Sequence, residues 1–235
     1  MVAPFLSAAP LSAGPWKRAN WLILAPHADD ETLGAGALIA YAASQATLGG
    51  VVYLTDGSAS HGDLDRASRV RLIEMRKLEA SLALRRLAGP NCRAPHFLGW
   101  RDAAPFQAGD AEFEASCHRL AALCQTRKID AIAVTAGNEP HCDHEAACRL
   151  AYAVAEKAHR PLAVFEYLVW ADARPSAGYR AYRTPSIRIG RRRLALTSHR
   201  SQMTPILGAG FRLPAAQIRM AASDVLYTLR SGHAP

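Results

Sequence analysis

Short apolar blocks alternate along the chain with longer stretches in which apolar residues recur at helical spacing. The short blocks are WLILA at 21–25, VVYLT at 51–55, HFLGW at 96–100, IDAIAVTA at 129–136 and VFEYLVW at 164–170. Rich in β-branched and aromatic residues and bounded by polar or turn residues, each predicts a strand. Residues 66–87 contain neither Gly nor Pro and place Leu72, Met75, Leu78 and Leu82 at helical spacing, the strongest helix signal present. Further helices are predicted over 112–127 and 144–157, and an acidic loop after the first strand leads into GAGALIAYAA. Apolar strands alternating with helices predict an α/β fold: a Rossmann-like, mostly parallel sheet with helices on both faces. After Trp170 the pattern changes. YRAYR (179–183) and SIRIG (186–190), parted by Thr184-Pro185, predict a basic hairpin, and helices are expected over 192–202 and 215–229. The chain divides into a tail (1–19) that wraps or frays, one α/β domain (20–205), and a helical extension of that domain (206–235) that forms a small C-terminal cap.

Composition narrows the class. The 235 residues are 50 % apolar and 20 % charged, which excludes wholesale disorder. No apolar run approaches the ~20 residues of a bilayer span. The five cysteines form no CxxC pair, and Cys117 and Cys124 share an apolar stripe with Phe113 and Leu120. They read as reduced thiols of a cytoplasmic protein. The N-terminal segment has no charged leader region, and prolines break its apolar stretch. A net charge of +8 implies attraction to something anionic. The cations are scattered apart from Arg188, Arg191, Arg192 and Arg193, and no basic stripe is interleaved with aromatics, so nucleic acid is not the expected partner.

Reactive groups in such sheets lie just beyond the carboxyl ends of the strands. Two loops there are dense in metal-capable side chains. Ala25-Pro26-His27-Ala28-Asp29-Asp30-Glu31 sets one imidazole and three carboxylates directly after a buried strand. One acid would suffice to cap the next helix; three repel one another unless a cation or a network holds them. His141-Cys142-Asp143-His144 follows the fourth strand on the same rim. Together the loops offer a His/Asp/His set with spare acid and base groups, which suits a catalytic zinc site that keeps a place for water. Cys142, on the far side of an extended loop from its histidine neighbours, is discounted as a ligand. Gly34-Ala35-Gly36 is half of a dinucleotide fingerprint, but the adjacent carboxylates would oppose a pyrophosphate, which argues against a nucleotide-binding oxidoreductase.

These residues resemble the PIG-L/LmbE-like zinc-dependent N-deacetylases, whose signature is a Pro-His-Pro-Asp-Asp-Glu loop followed later by a His-Pro-Asp-His loop. Here they read PHADDE and HCDH. VVYLTDG, the RxxE of Arg71 and Glu74, FLGWRD, FEYLVW and ALTSHRSQ resemble further family segments, over roughly residues 20 to 205. The resemblance implies zinc held by His27, Asp30 and His144, with Asp29 as general base. It implies His141 as transition-state stabiliser or acid, oriented by Asp143, and sugar contacts at Arg71 and Asp102. Ala28 and Cys142 replace the family's prolines, and Ser58 stands where many members carry Glu.

The chemistry is consistent with those roles. An acetamide is a poor electrophile and water a poor nucleophile, and a bound zinc ion addresses both. Adjacent side chains diverge, so with Asp30 a ligand Asp29 is free to hydrogen-bond water. His141, as an imidazolium, would meet the oxyanion. Trp100 beside Asp102 offers an aromatic face for a pyranose. His199 reads as a core or helix-end histidine, and His61, His96, His118, His159 and His233 are left outside the site. The expected substrate is an N-acylated amino sugar conjugate, either a small molecule or joined to a lipid or glycoside. The alternative is an inactive sugar- or phosphate-binding module on the same fold.

Overall fold

In the computed structural model, residues 7–62, 64–171, 178–215, 218 and 220–230 are described. Five strands run parallel to one another: β2 (Trp21–Ala25), β3 (Leu48–Thr55), β4 (His96–Trp100), β5 (Ala131–Thr135) and β6 (Ala163–Tyr167). With β1 (Ala9–Pro10), β7 (Tyr179–Arg183) and β8 (Val225–Leu229) they make one sheet of eight strands, ordered β1-β7-β8-β6-β5-β2-β3-β4. β2 pairs in parallel with both β3 and β5, whereas β8 runs antiparallel to both β6 and β7.

The period of two along the strands sorts the side chains onto two faces. Trp21, Ile23 and Ala25 pack with Leu38 and Ile39 of α1 (Asp30–Ser44) and with Ala83, Leu84 and Leu87 of α2 (Arg66–Ala88). Leu22 and Leu24 pack with Phe113, Cys117, Leu120 and Cys124 of α3 (Ala111–Thr126) and with Leu150 and Val154 of α4 (Cys142–Lys157). Both faces are therefore covered, as expected. Gly34 and Gly36 serve packing: a side chain at Gly34 would collide with the Tyr167 ring, and one at Gly36 would come within 2.8 Å of Arg192 Nε.

Three sequence expectations need correction. Residues 215–229 do not form a helix among the described positions; Val225–Leu229 is a strand, in keeping with its β-branched and aromatic content. YRAYR does not fold back on SIRIG; it pairs with β8, and Ile189 and Gly190 open α5 (Ile189–Leu196). The helix expected over 192–202 is broken at Thr197–His199, before the short α6 (Arg200–Met203). The N-terminal segment wraps where it is described: β1 runs parallel to β7, and Leu11 is fully buried with its N–H on the Arg183 carbonyl. No helix among the described residues is long and apolar enough to cross a membrane.

The C-terminal elements are locked onto α1 by a buried ion pair. Arg192 of α5 pairs with Asp224, whose other carboxylate oxygen accepts the Leu38 N–H at 2.7 Å. Both side chains are almost wholly shielded from water. Arg192→Met strands a buried carboxylate and is expected to cost about 3–5 kcal/mol, while Arg192→Met with Asp224→Leu costs less. Urea denaturation of the two variants and the wild type measures the difference.

Candidate active site

β3 and β4 follow β2 on one side, and β5 and β6 lie on the other, so the sheet changes direction between β2 and β5. The loops leaving the carboxyl ends of these two strands meet at that switch point. The β2 loop carries His27, Asp29 and Asp30; the β5 loop and the start of α4 carry His141, Asp143 and His144. Oδ2 of Asp30 lies 3.2 Å from His27 Nδ1 and 3.2 Å from His144 Nε2. Ligand-capable atoms of these three residues all fall within 4.8 Å of one another. A second such group, His27, Asp102, His141 and Asp143, shares His27 with the first.

His144 is fully buried, and neither ring nitrogen makes a well-aligned hydrogen bond. The Asp30 and Glu139 carboxylates stand 3.2 and 3.3 Å away. Burial opposes charge on this ring, but Asp30 and Glu139 more than offset it and lift the imidazole to about 9. His27 follows the same logic: burial works against its proton, yet contacts to Asp102, Asp143 and Asp30 raise it well above the ordinary histidine value. Asp30 is held far below the usual carboxylate range, because the two imidazoles outweigh its burial. Two nitrogens and one oxygen converging in this way fit a divalent cation.

Asp29 has a different environment. Burial, and then the Asp30 charge, push its carboxyl up to about 7. Its backbone is strained, with φ of 146°, and its N–H is held by the Glu31 carboxylate at 2.9 Å. Behind it, Glu31 Oε1 lies 3.4 Å from the buried His199 ring. His199 is thus a core histidine, one layer behind the cavity.

His141 caps α4 through its ring. Nδ1 accepts the Asp143 N–H at 3.2 Å, which places the ring proton on Nε2. Burial first, then the neighbouring His27, lower its pKa, which works against the expected imidazolium. Asp143 also differs from expectation. Its Oδ2 lies 3.0 Å from His27 Nε2 and accepts the Ala103 N–H at 2.9 Å, while His141 Nδ1 is 3.9 Å away. Asp102 is buried beside His27 Nε2 at 3.2 Å and accepts the Ala59 N–H at 3.0 Å.

A cavity of about 230 Å³ opens over this group, and His27, Asp29, Asp30, Asp102, His141 and His144 all line it. Arg71 does not; it is exposed on α2, and its presumed partner Glu74 pairs with Lys77 at 2.8 Å. The cation at the cavity is Arg76, which donates to the carbonyls of Ala28 and Gly57 at 3.2 Å each. The same RxxE spacing recurs there as Arg76 and Glu79, and both are buried. Trp100 offers no face to a ligand, being packed against Phe106 and Phe113 with its indole N–H on Ser116. Trp170 and Phe211 instead form the aromatic wall, edge to face with centroids 6.0 Å apart. Cys142 is exposed, outside both ligand groups.

Residues 22–155 match the family model of the PIG-L GlcNAc-PI de-N-acetylases. The chain belongs to that family. No curated protein matches it. Among solved structures, the PIG-L chain is similar to the N,N'-diacetylchitobiose deacetylase of Pyrococcus horikoshii, with TM-score 0.63 and 19 % identity over 83 % of this chain and 75 % of that one. It is also similar to the A40926 pseudoaglycone deacetylase Dbv21 (0.66, 17 %, covering 93 % and 100 %). A third similar structure is a 4-carboxy-2-hydroxymuconate hydratase from Pseudomonas putida (0.56, 17 %, covering 77 % and 78 %). At these identities the structures attest the PIG-L fold; activity has to be argued from the site.

Glu139, absent from the sequence reading, braces this rim. Its carboxylate accepts the N–H groups of Val169, Trp170 and Ala171 at 2.7, 2.9 and 3.3 Å and faces His144. Burial opposes its charge, but His144 and these donors hold it below the ordinary 4.5. Its stabilisation is therefore complete above pH 4.5 and is lost as pH falls through the lower folded value. Glu139→Ala is expected to cost about 2–4 kcal/mol at pH 7, with the gap to wild type narrowing as pH falls below 4.5 in denaturant titrations.

Proposed function

We propose that this chain is a zinc-dependent amide hydrolase that removes an acetyl or other acyl group from an N-acylated amino sugar conjugate. The observation that carries the reading is the convergence of His27, Asp30 and His144 on one point of a cavity that Asp29 and His141 also line. Those three residues would hold the metal. The chemistry such an ion supplies is Lewis acidity, which brings the pKa of water toward ~7 and polarises the amide carbonyl.

The protein's own groups do the rest. Asp29, buried and more basic than an ordinary carboxylate, accepts a proton from the attacking water. His141 donates its Nε2–H to the carbonyl oxygen as that oxygen gains negative charge, and its helix-capping Nδ1 fixes this tautomer. The C–N bond then breaks, the proton on Asp29 passes to the leaving nitrogen, and the products are a carboxylic acid and a free amine. Asp143 and Asp102 restrain His27 and would orient it as a ligand, and Asp102 also lines the cavity. Arg76, with Trp170 and Phe211, would meet the sugar.

Acetate release from N-acetylglucosamine conjugates, assayed with and without chelation of the metal, tests the activity. Metal-dependent release is expected, and His144→Ala should lose both metal and turnover. Asp29→Ala and His141→Ala should keep the metal and lose about 10²–10³ in rate. Zinc-loaded protein inert toward a broad panel of N-acyl sugars would favour the binding-module reading.

Metal uptake should also move protons. Without a cation both His27 and His144 are protonated at pH 7, and both must lose that proton to coordinate. Zinc binding at pH 7 is therefore expected to release about two protons. Affinity should climb as pH rises through 7 toward 9. Titration calorimetry in buffers of different ionisation heat counts the protons, and a count near zero would refute this ligand set.

A further inference from the structure

At the end of the sheet remote from the switch point lies a larger cavity, about 840 Å³. The amino ends of β3 and β4 and the last turn of α3 enclose it. Arg93, Arg119, Arg127 and Lys128 line it together with His96, and among the described residues no carboxylate does. Asp130, nearby in sequence, is engaged by Arg160 and by the Asn20 N–H.

Arg127 is set in place at the centre of this group. Its Nη1 donates to the Gly49 carbonyl at 2.8 Å, and its Nη2 lies 2.6 Å from His96 Nε2. It lies across Gly50, where any side chain would collide with Nη1. Since His96 Nε2 accepts from Arg127, the ring proton is on Nδ1, a further donor. Burial and then the Arg93 charge make the Arg127 guanidinium less basic than usual, as befits cations gathered without a counter-charge. Leu98 and Leu123, which share the α3 face of the sheet, add an apolar wall.

We infer that this cavity is an anion site for a small soluble phosphate or pyrophosphate ester, separate from the proposed catalytic rim. Arg93, Arg119, Arg127 and Lys128 would hold the phosphoryl oxygens, with the ester's less polar part against Leu98 and Leu123. Guanidinium groups suit phosphate because their N–H forks match its oxygens. The concave shape favours a molecule that enters over a flat bilayer, although a phosphoinositide headgroup offers the same chemistry.

Calorimetric titration of the full-length, metal-loaded protein with pyrophosphate tests the site. Binding is expected that weakens with added salt and falls about ten-fold or more in Arg127→Gln. Arg93→Gln, on an exposed side chain, should weaken it as well and covers the case in which Arg127→Gln fails to fold. His144→Ala should leave pyrophosphate binding intact, which separates this site from the catalytic reading whichever way the deacetylase assay falls. No binding to wild type would overturn the inference. So would binding that survives both arginine variants or disappears in His144→Ala. Co-sedimentation with phosphatidylcholine vesicles containing a phosphoinositide, undiminished by pyrophosphate, would overturn the soluble ligand in favour of a headgroup.

Discussion

The carboxylate of Asp30 faces two imidazoles at once, and much of the surrounding architecture follows from keeping that arrangement out of water. A buried acid between two buried histidines is tolerable only where charges balance. Around it the chain supplies partners in order: Asp102 and Asp143 on His27, and Glu139 on His144. These partners come from the loops after β4 and β5 and from α4, so the site is also where separate crossovers of the fold are tied together. The groups that favour a proton on each imidazole would become orienting partners if a cation replaced those protons.

Behind this layer lies a second one that explains why α2 looks unusual. Leu78 and Leu82 suggest a buried face, yet both are exposed, at 72 % and 43 %. The buried face carries Arg76 and Glu79 among alanines and leucines. Arg76 is drawn inward by the carbonyls of Ala28 and Gly57, and Glu79 by the N–H and hydroxyl of Ser201. Polar capture of loop backbones outweighs the transfer energy of two leucines, because those loop groups would otherwise be buried without partners.

The central strands and the helices that cover them were legible because their periodicity is strong and their contacts are local in pattern. The two loops that meet at the cavity were legible too, since their residue types are dense and lie at strand ends. What escaped depends on long-range pairing. Val225–Leu229 becomes a strand because a gap between β6 and β7 receives it, and Glu139 looks like an ordinary loop acid until three N–H groups from the β6 loop reach it. Arg71 and Arg76 open the same RxxE spacing, and only packing distinguishes the exposed from the buried copy. Trp100 and Trp170 pose the same problem: one ends β4 and the other lies just after β6, but Phe113 claims the first for the core while Phe211, remote in sequence, pairs with the second.

Two departures from the family pattern also have a physical reading. Proline at the first position of a helix fixes φ where no hydrogen bond is lost. Cys142 occupies that position here, and rigidity comes instead from His141 Nδ1 capping the Asp143 N–H. The contact that stiffens the turn is the same one that sets the tautomer of the ring facing the cavity. Ala28 stands in the other proline's place, just before the strained Asp29. Its carbonyl is gripped by Arg76, and the Asp29 N–H by Glu31, so the peptide leading into the strained residue is held at both its polar groups. Side-chain contacts from α2 and α1 thus replace covalent stiffness, and the positions that look like losses in the motif are compensated by residues outside it.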